Sequence, residues 1–345
     1  MIDLRSDTLT IPDKEMLNTV LDAQLGDDGR QDENGRGEDI TTNRLEDLAA
    51  ALTGKESGLY FSSGTLANTC ALLTWCQPGD KVIIDHMQHI YRTEKIAFMD
   101  RFGQLKPVFV DYTDKDLPDL KNMEYLLKAG DISLICMENT HNFRGGKCIP
   151  LEVMAGVYEL AKTYGVHVHL DGARLFNAAA AMDVRTDEIC RYTDSVMFCV
   201  SKGLRAPIGS LLCGSREFIL QARKTRKLLG GNMRQCGVIA APAIYALKNN
   251  LSQLKQDNMN AQTMAEHLSE MHIGRISNFP ESNIVLLDIR GYGFSSKEYC
   301  SALKEMGVLP SPVGDDHVRF VFHEGISEED AISAAEAVMR FDRNA

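Results

Sequence analysis

The run Val166-His167-Val168-His169-Leu170-Asp171 is short and mostly apolar, and it is followed by Gly172-Ala173-Arg174. The run 195–200 has the same character and is followed by Ser201-Lys202-Gly203. Short apolar runs that end on polar residues are typical of strands buried in a parallel sheet. Apolar runs and amphipathic stretches alternate along the chain on both sides of these two runs, beginning at about Leu45. This alternation predicts an α/β fold with a mostly parallel sheet covered by helices.

Periodicity and capping residues also predict individual elements of the large sheet domain. We expect helices at 42–52, opening with an N-cap threonine, at 65–76 and at 151–164, and strands at 81–85, 133–138, 166–171, 195–200 and 210–213. The segment 26–39, rich in Asp, Gly, Arg and Asn, is the part of the chain most typical of a loop.

The C-terminal part of the chain has a different pattern. From about Ser215 it is helical, with an interruption at Gly230-Gly231, and the amphipathic stretch 238–272 indicates a connector. Strands are expected at 284–289 and 318–322, and Ser327 with Asp330 predicts the start of a closing helix. We therefore expect a large domain at 1–250, which includes an N-terminal arm, and a small α+β domain at 251–345.

Composition excludes several classes of function. The net charge of -11 is spread along the chain, which argues against a nucleic-acid partner. No stretch approaches the roughly 20 apolar residues of a membrane span, and the charged opening MIDLRSDTLT is unlike a signal peptide. The nine cysteines are scattered without a CxxC pair, which is typical of reduced core thiols. These features predict a cytoplasmic protein.

The acid and the lysine at the two strand ends suit one cofactor. Parallel sheets bind ligands beyond the carboxyl ends of their strands, so Asp171 and Lys202 are expected to share a site. Pyridoxal phosphate needs a lysine for its Schiff base and a carboxylate facing the pyridine nitrogen. Taken singly, Asp171 is equally consistent with a turn residue and Lys202 with a solvated lysine.

Other residues are candidates for the same site. Ser62-Ser63-Gly64-Thr65, directly before a predicted helix, is a candidate phosphate cradle, although such a run is more often a simple N-cap. Three histidines, His89, His141 and His169, lie near strand ends and suit stacking or proton transfer, although core or loop roles are common for single histidines. His167 and His169 form an HxH pair without further ligands, so we expect no metal site.

Taken together, the motifs resemble the low-specificity L-threonine aldolases, which are fold-type-I pyridoxal-phosphate enzymes. The resemblance covers nearly the whole chain. It is carried by Asp3-Leu4-Arg5-Ser6-Asp7-Thr8, Gly26-Asp27-Asp28, Gly37-Glu38-Asp39, Ser63-Gly64-Thr65, Glu138-Asn139-Thr140-His141, 169–178, Ser201-Lys202-Gly203-Leu204 and 230–235.

The resemblance implies a role for each matching residue. Lys202 would form the Schiff base, Asp171 would contact the ring nitrogen, and His89 would stack on the ring. The phosphate would lie at Ser63, Gly64 and Thr65, the substrate carboxylate at Ser6, Arg174 and Arg319, with Arg174 also near the cofactor, and the substrate β-hydroxyl at His141. Lys227 and Arg234 would reach the phosphate of a neighbouring subunit, so the resemblance implies a homo-oligomer, a dimer or a tetramer, with shared sites.

The reaction implied is cleavage of a β-hydroxy-α-amino acid of the L-threonine or L-allo-threonine type to glycine and an aldehyde. His89 and His141 are both candidates for the base that takes the β-hydroxyl proton. The alternatives are a β-eliminating lyase, an aminotransferase, or a noncatalytic protein on the same scaffold. A nicotinamide dehydrogenase is disfavoured because no GxGxxG follows an early strand.

The chain departs from the family pattern at several positions. The charged segment 29–36, with Arg30 and Arg36, stands where many members are short and aromatic. Arg92 replaces a common aromatic residue, and Arg205 a small one. The additional arginines suggest a substrate with an acidic side chain, whereas ordinary surface ion pairs are the simpler explanation.

Overall fold

The computed structural model describes residues 1–344 and the side chains as far as Arg343. The α-helices are α1 Lys14–Asn18, α2 Ile40–Thr53, α3 Gly64–Trp75, α4 Leu120–Lys128, α5 Leu151–Thr163, α6 Leu175–Met182, α7 Thr186–Cys190, α8 Arg216–Leu228, α9 Gly237–Asn249, α10 Gln253–His267, α11 Ser296–Glu305 and α12 Glu328–Asn344. The strands are β1 Ile2–Asp3, β2 Ser57–Phe61, β3 Lys81–Ile84, β4 Lys106–Phe109, β5 Ile132–Glu138, β6 His167–Asp171, β7 Ser195–Cys199, β8 Ser210–Gly214, β9 Arg275–Ile276, β10 Ile284–Asp288, β11 Val308–Leu309, β12 Ser311–Val313 and β13 His317–Val321.

A seven-stranded sheet organises the larger part of the molecule, in the order β2-β8-β7-β6-β5-β3-β4. Strand β8 is antiparallel to both of its neighbours, and the other pairs are parallel. Every residue of β7 and β8 is buried, because helices cover both faces of the sheet. The α/β fold class and the mostly parallel sheet are thereby confirmed.

A four-stranded antiparallel sheet, β12-β13-β10-β9, forms the second core together with α10, α11 and α12. This confirms the α+β character of the C-terminal part. The N-terminal strand β1 pairs in parallel with β11, and Leu4 is fully buried in this second core. The chain thus begins beside its C-terminal strands before it enters the large sheet. The domain boundary at 250/251 stays a prediction.

The predicted start of the first long helix is wrong. Helix α2 begins at Ile40, and its N-cap is Asp39, whose carboxylate accepts from the Thr42 backbone N–H at 2.8 Å. The stretch 238–272 is two helices, α9 and α10, because the chain turns between Asn249 and Gln253. The cap of the closing helix is confirmed, since Ser327 and Asp330 exchange hydrogen bonds at 3.0 and 3.1 Å.

Within residues 1–344, no helix has the length and apolar character needed to cross a bilayer.

Candidate active site

Asp171 and Lys202 lie at the same edge of the large sheet. Asp171 is the last residue of β6, and Lys202 follows β7, its parallel neighbour. A side chain at Gly172 would bring its Cβ within 2.7 Å of the Met197 carbonyl oxygen, so the turn after Asp171 requires glycine. The side chains of His89, Glu94 and Asp171 also converge, with one nitrogen or oxygen atom of each within 4.8 Å of the others.

A chain of directed hydrogen bonds holds Asp171. The Trp75 indole N–H donates to Ser195 Oγ at 2.8 Å, so the Ser195 hydroxyl is free to donate to His169 Nδ1 at 2.9 Å. His169 Nε2 then donates to Asn68 Oδ1 at 3.1 Å, and the Asn68 amide donates to Asp171 Oδ2 at 3.1 Å. Burial lowers the pKa of His169 to about 4, which keeps the ring neutral in this chain. The chain of hydrogen bonds therefore ends in an N–H that points at the Asp171 carboxyl group.

Lys202 is half-buried and faces acidic and sulfur groups. Burial raises the pKa of Cys199, and the charge of Lys202 opposes that rise, which places the amine near this thiol. Lys202 also contributes to the low pKa of Asp7. Its carbonyl oxygen accepts from the Thr10 hydroxyl at 2.6 Å, so the N-terminal segment holds the loop that carries the lysine.

The predicted phosphate cradle is the N-terminus of α3. Ser63 is the N-cap, and its Oγ accepts from the Leu66 backbone N–H at 3.2 Å. Gly64 lies close to β7 and β8, since a Cβ there would stand 3.1 Å from Cys199 Sγ. Thr65 is exposed, and the free N–H groups of this first turn provide the usual setting for an anion.

His89 is positioned by two glutamates. Its backbone N–H donates to Glu138 Oε2 at 2.7 Å, and its Nδ1 donates to Glu94 Oε1 at 3.1 Å. Burial lowers the pKa of His89, but the hydrogen bond to Glu94 and the charges of Asp171 and Glu138 raise it above the usual value. The other oxygen of Glu138 accepts from the Asn142 backbone N–H at 2.8 Å. One carboxylate therefore fixes both segments that carry the candidate histidines.

His141 forms a buried pair with Asp85. The imidazole Nε2 lies 3.0 Å from Asp85 Oδ2, which also accepts from Arg144 Nε at 2.9 Å. Burial would raise the pKa of Asp85, but the hydrogen bonds from His141 and Arg144 hold it well below its usual range. Because Asp85 is anionic and only accepts, the proton on His141 belongs on Nε2. The buried Nδ1 has no partner among the described residues.

Arginines and Asp7 form a polar pocket beside His141. Arg174 donates to both oxygens of Asp7, at 2.7 and 2.8 Å, and to Asn142 Oδ1 at 3.1 Å. Arg319 donates to the same Asn142 oxygen at 2.7 Å, and its buried Nε finds no partner among the described residues. Burial, followed by the charge of Arg174, lowers the pKa of Arg319 to about 10. Asp7 thus pairs with Arg174, whereas Arg319 has no carboxylate partner among the described residues.

Asp7 and Ser6 differ in how they meet this pocket. Burial alone would raise the pKa of Asp7, but the charges of Arg174 and Lys202 lower it to about 2. Ser6 caps the short helical turn Asp7–Leu9, and its hydroxyl oxygen accepts from the Thr8 backbone N–H at 3.2 Å. Ser6 is next to the pocket in the chain, and its side chain serves the local turn.

Lys227 and Arg234 do not join these groups within the protomer. Lys227 is exposed in the last turn of α8, and Arg234 pairs with Asp27 at 2.9 Å. The neighbouring Asp28 is buried against Arg226 at 2.5 Å and Arg223 at 3.2 Å. The loop 26–39 is therefore fastened to α8 by ion pairs.

Sequence reasoning assigned no role to several residues that shape the site. These are Asp7, Asn68, Asp85, Glu94, Glu138 and Asn142. Asp7, Glu138 and Asn142 each stand next to a predicted site residue or motif, and that adjacency is the one signal that could have identified them. The contacts of Asn68, Asp85 and Glu94 depend on the fold.

Known proteins share this sequence pattern and this fold. The family model described as beta-eliminating lyase matches residues 3–291. The chain belongs to the beta-eliminating lyase family. Its relatives include the low-specificity L-threonine aldolase of Escherichia coli K12, 37% identical over 97% of each chain. The corresponding enzyme of Saccharomyces cerevisiae is 35% identical over 84% of this chain and 74% of its own length.

The fold is also similar to that of a solved threonine aldolase. The structure of a threonine aldolase from Leishmania major superposes with a TM-score of 0.79 at 19% identity, over 99% of each chain. The fold is therefore the fold-type-I architecture of pyridoxal-phosphate enzymes, and the chain is a pyridoxal-phosphate-dependent lyase of the beta-eliminating lyase family.

The residues fit pyridoxal phosphate. A donor-held carboxylate, a lysine and a helix N-terminus with free N–H groups lie at one edge of the sheet, namely Asp171, Lys202 and the Ser63 turn. Two buried atoms around Asn142, His141 Nδ1 and Arg319 Nε, have no partner among the described residues, as expected where a polar molecule binds.

Proposed function

We propose that this protein cleaves β-hydroxy-α-amino acids of the L-threonine type to glycine and an aldehyde. The observation that carries the proposal is the adjacency of His141 and Asn142. His141 Nδ1 has no partner among the described residues, and the side chain of Asn142 accepts hydrogen bonds from two arginines, Arg174 and Arg319. A base and a carboxylate pocket beside each other match a substrate with a β-hydroxyl and an α-carboxylate.

The binding part of the site is the arginine pair. We propose that Arg174 and Arg319 bind the α-carboxylate, because a planar guanidinium matches a carboxylate with two parallel hydrogen bonds. Asp7 keeps Arg174 oriented by occupying two of its donors. Ser6 lies one residue away and is the weaker candidate for this contact.

The cofactor part of the site is the sheet edge. Lys202 would hold pyridoxal phosphate covalently, Asp171 would face its ring nitrogen and His89 its ring face. Ser63, Gly64 and Thr65 would hold its phosphate. When bound, the cofactor supplies an electron-accepting ring that stabilises the charge left at Cα after a bond to Cα breaks.

We assign the base to His141 rather than His89. Asp85 accepts from the His141 Nε2–H, so Nδ1 is the nitrogen that would take the proton of the β-hydroxyl. As that proton leaves, the Cα–Cβ bond breaks and the hydroxyl carbon departs as an aldehyde, and Cα then takes up a proton to give glycine. His89 is held by Glu94 and has a raised pKa, which suits a ring-facing role better.

We also propose a cytoplasmic homo-oligomer, a dimer or a tetramer. A large apolar side chain is exposed next to one of the proposed intersubunit residues, since Leu228 follows Lys227 and is 88% exposed. Such side chains favour a protein interface. Lys227 and Arg234 would then approach the phosphate of a neighbouring subunit.

The test is a steady-state assay of the pyridoxal-loaded protein with L-threonine and L-allo-threonine, measuring glycine and aldehyde. Lys202→Ala should abolish both the covalent cofactor absorbance and glycine release. His141→Asn should keep the absorbance and lower kcat at least about 100-fold, in line with loss of a general base. A loaded wild-type protein that releases no glycine would favour the β-eliminating lyase or aminotransferase alternatives.

A further inference from the structure

Several arginines form ion pairs with carboxylates. This includes nearly all of those that the sequence marked as unusual. The pairs are Arg30 with Glu38 at 3.3 Å, Arg36 with Asp47 at 2.8 Å, Arg144 with Asp85 at 2.9 Å, and Arg205 with Glu324 at 3.0 Å and Asp13 at 3.6 Å. In each of these pairs a carboxylate already faces the guanidinium.

Arg92 is the exception. Its guanidinium lies 4.6 Å above the centre of the Phe143 ring, and its Nη1 donates to Met87 Sδ at 3.2 Å. A thioether is a weak acceptor, and no carboxylate of residues 1–343 lies within ion-pairing distance of Arg92. The side chain is half-buried in the π-helical turn Ile90–Glu94, directly after His89.

Phe143 connects Arg92 to the candidate site. The Phe143 ring lies nearly parallel to the His89 ring, with 6.2 Å between centroids and 13° between planes. Phe143 follows Asn142, the residue that joins Arg174 and Arg319. Two consecutive residues of the short helix Asn142–Arg144 therefore contact arginines. Asn142 accepts from Arg174 and Arg319, and Phe143 lies under Arg92.

We propose that the preferred substrate is a β-hydroxy-α-amino acid with a carboxylate side chain, represented by 3-hydroxyaspartate, and that Arg92 binds this second carboxylate. This inference rests on the proposed aldol cleavage. Arg319 and Arg92, which have no carboxylate partner among the described residues, match the two carboxylates of such a substrate.

The reaction balances without a further reagent. The β-hydroxyl proton passes to the base, the Cα–Cβ bond breaks, Cβ leaves as the aldehyde carbon of glyoxylate, and Cα gains a proton to become glycine. The reaction therefore needs no external oxidant or reductant.

The experiment compares kcat/KM for 3-hydroxyaspartate and L-threonine in the wild type, Arg92→Gln, Arg92→Lys and the control Arg101→Gln, which removes an exposed arginine from the same segment. We expect the wild type to prefer 3-hydroxyaspartate. Arg92→Gln should lower kcat/KM for that substrate about 100-fold, mainly through KM, and change the value for threonine less than about 3-fold. Arg92→Lys should recover part of the loss.

A second measurement does not depend on turnover. L-Aspartate carries both carboxylates and lacks the β-hydroxyl, and L-alanine lacks the second carboxylate. Arg92→Gln should weaken competitive inhibition by L-aspartate about 100-fold and leave inhibition by L-alanine unchanged.

Three results would overturn the proposal: wild-type turnover of threonine equal to or better than that of 3-hydroxyaspartate, an equal loss for both substrates in Arg92→Gln, or unchanged inhibition by L-aspartate. Glycine release from threonine in the same assays would still support the aldolase, so the two proposals fail separately.

Discussion

Asp257 is a buried carboxyl group next to the loop that carries Lys202. It lies on α10 with no exposed surface, and its Oδ1 accepts from Gln253 at 3.2 Å. Its Oδ2 has no partner among the described residues and is 3.6 Å from where a Cβ at Gly203 would stand. Burial raises the pKa of Asp257 to about 7.

Because of this raised pKa, we expect the free energy of unfolding to depend on pH. The folded protein binds a proton at Asp257 that the unfolded chain releases near pH 4, so the free energy of unfolding falls as pH rises from about 4 to about 7. Asp257→Asn removes this dependence and should raise stability above pH 7 relative to the wild type, by at most about 4 kcal/mol. Urea unfolding at pH 5 and pH 8 measures the difference, with exposed Asp100→Asn as control.

Parallel pH profiles for the wild type and Asp257→Asn would contradict the prediction. Lower activity in Asp257→Asn with higher stability would indicate that the carboxyl group also serves the lysine loop, as happens where function has a cost in stability.

At the scale of elements, the N-cap of α2 joins three segments. The Asp39 carboxylate accepts from the backbone N–H groups of Thr42 at 2.8 Å, Gly26 at 3.1 Å and Gly237 at 3.0 Å. It therefore begins α2, closes the loop 26–39 and begins α9.

We expect Asp39→Ala to lower the free energy of unfolding by about 2–4 kcal/mol. A lost N-cap costs about 1 kcal/mol, and two more buried N–H groups lose their acceptor. Asp119 caps α4 alone, so Asp119→Ala should cost about 1 kcal/mol. Urea unfolding of both variants is the measurement, and equal losses would show that the additional bonds of Asp39 contribute nothing.

Asp39 also shows which features of the fold can be predicted from the sequence and which cannot. The strands at 195–200 and 210–213 were predictable because their residues are uniformly apolar and bounded by polar ones. The sequence predicts Thr42 as the N-cap because a threonine before an apolar run is a common signal of a helix start. The true cap lies three residues earlier, since Asp39 has partners in Gly26 and Gly237 that only the folded chain brings near.

At the scale of the whole molecule, the first ten residues connect the two cores. Leu4 is buried in the C-terminal core, Asp7 pairs with Arg174 of the large sheet domain, and Thr10 holds the Lys202 loop. Asn283 of the small domain also donates to Asp7 Oδ2, at 3.4 Å.

Leu4→Ala should therefore affect stability and substrate binding together. A cavity at a fully buried leucine costs about 2–5 kcal/mol, and a looser N-terminal segment should raise KM by releasing Asp7 from Arg174. Leu9→Ala, at an exposed position, should change neither. Urea unfolding and steady-state kinetics are the measurements; destabilisation with an unchanged KM would separate the core from the carboxylate pocket.

The candidate site likewise has residues that the local sequence predicts and residues that only the fold brings together. That Lys202, Asp171 and Arg174 lie at the ends of neighbouring strands was predictable, because each ends a recognisable strand or follows one within three residues. Asp85 and Asn68 were not, because their partners His141 and Asp171 are 56 and 103 residues away in the chain. Arg92 and Arg205 looked alike as departures from the family pattern, and only the positions of Asp13 and Glu324 distinguish them.

The hydrogen-bond chain behind Asp171 begins at the single tryptophan of the protein. The Trp75 indole is also stacked between His167 at 3.9 Å and Phe218 at 4.4 Å. Indole emission from this protein therefore has one source, and that source is joined through four hydrogen bonds to the residue that would face the cofactor ring. Its fluorescence is an intrinsic, label-free reporter of cofactor binding, readable without following catalysis at all.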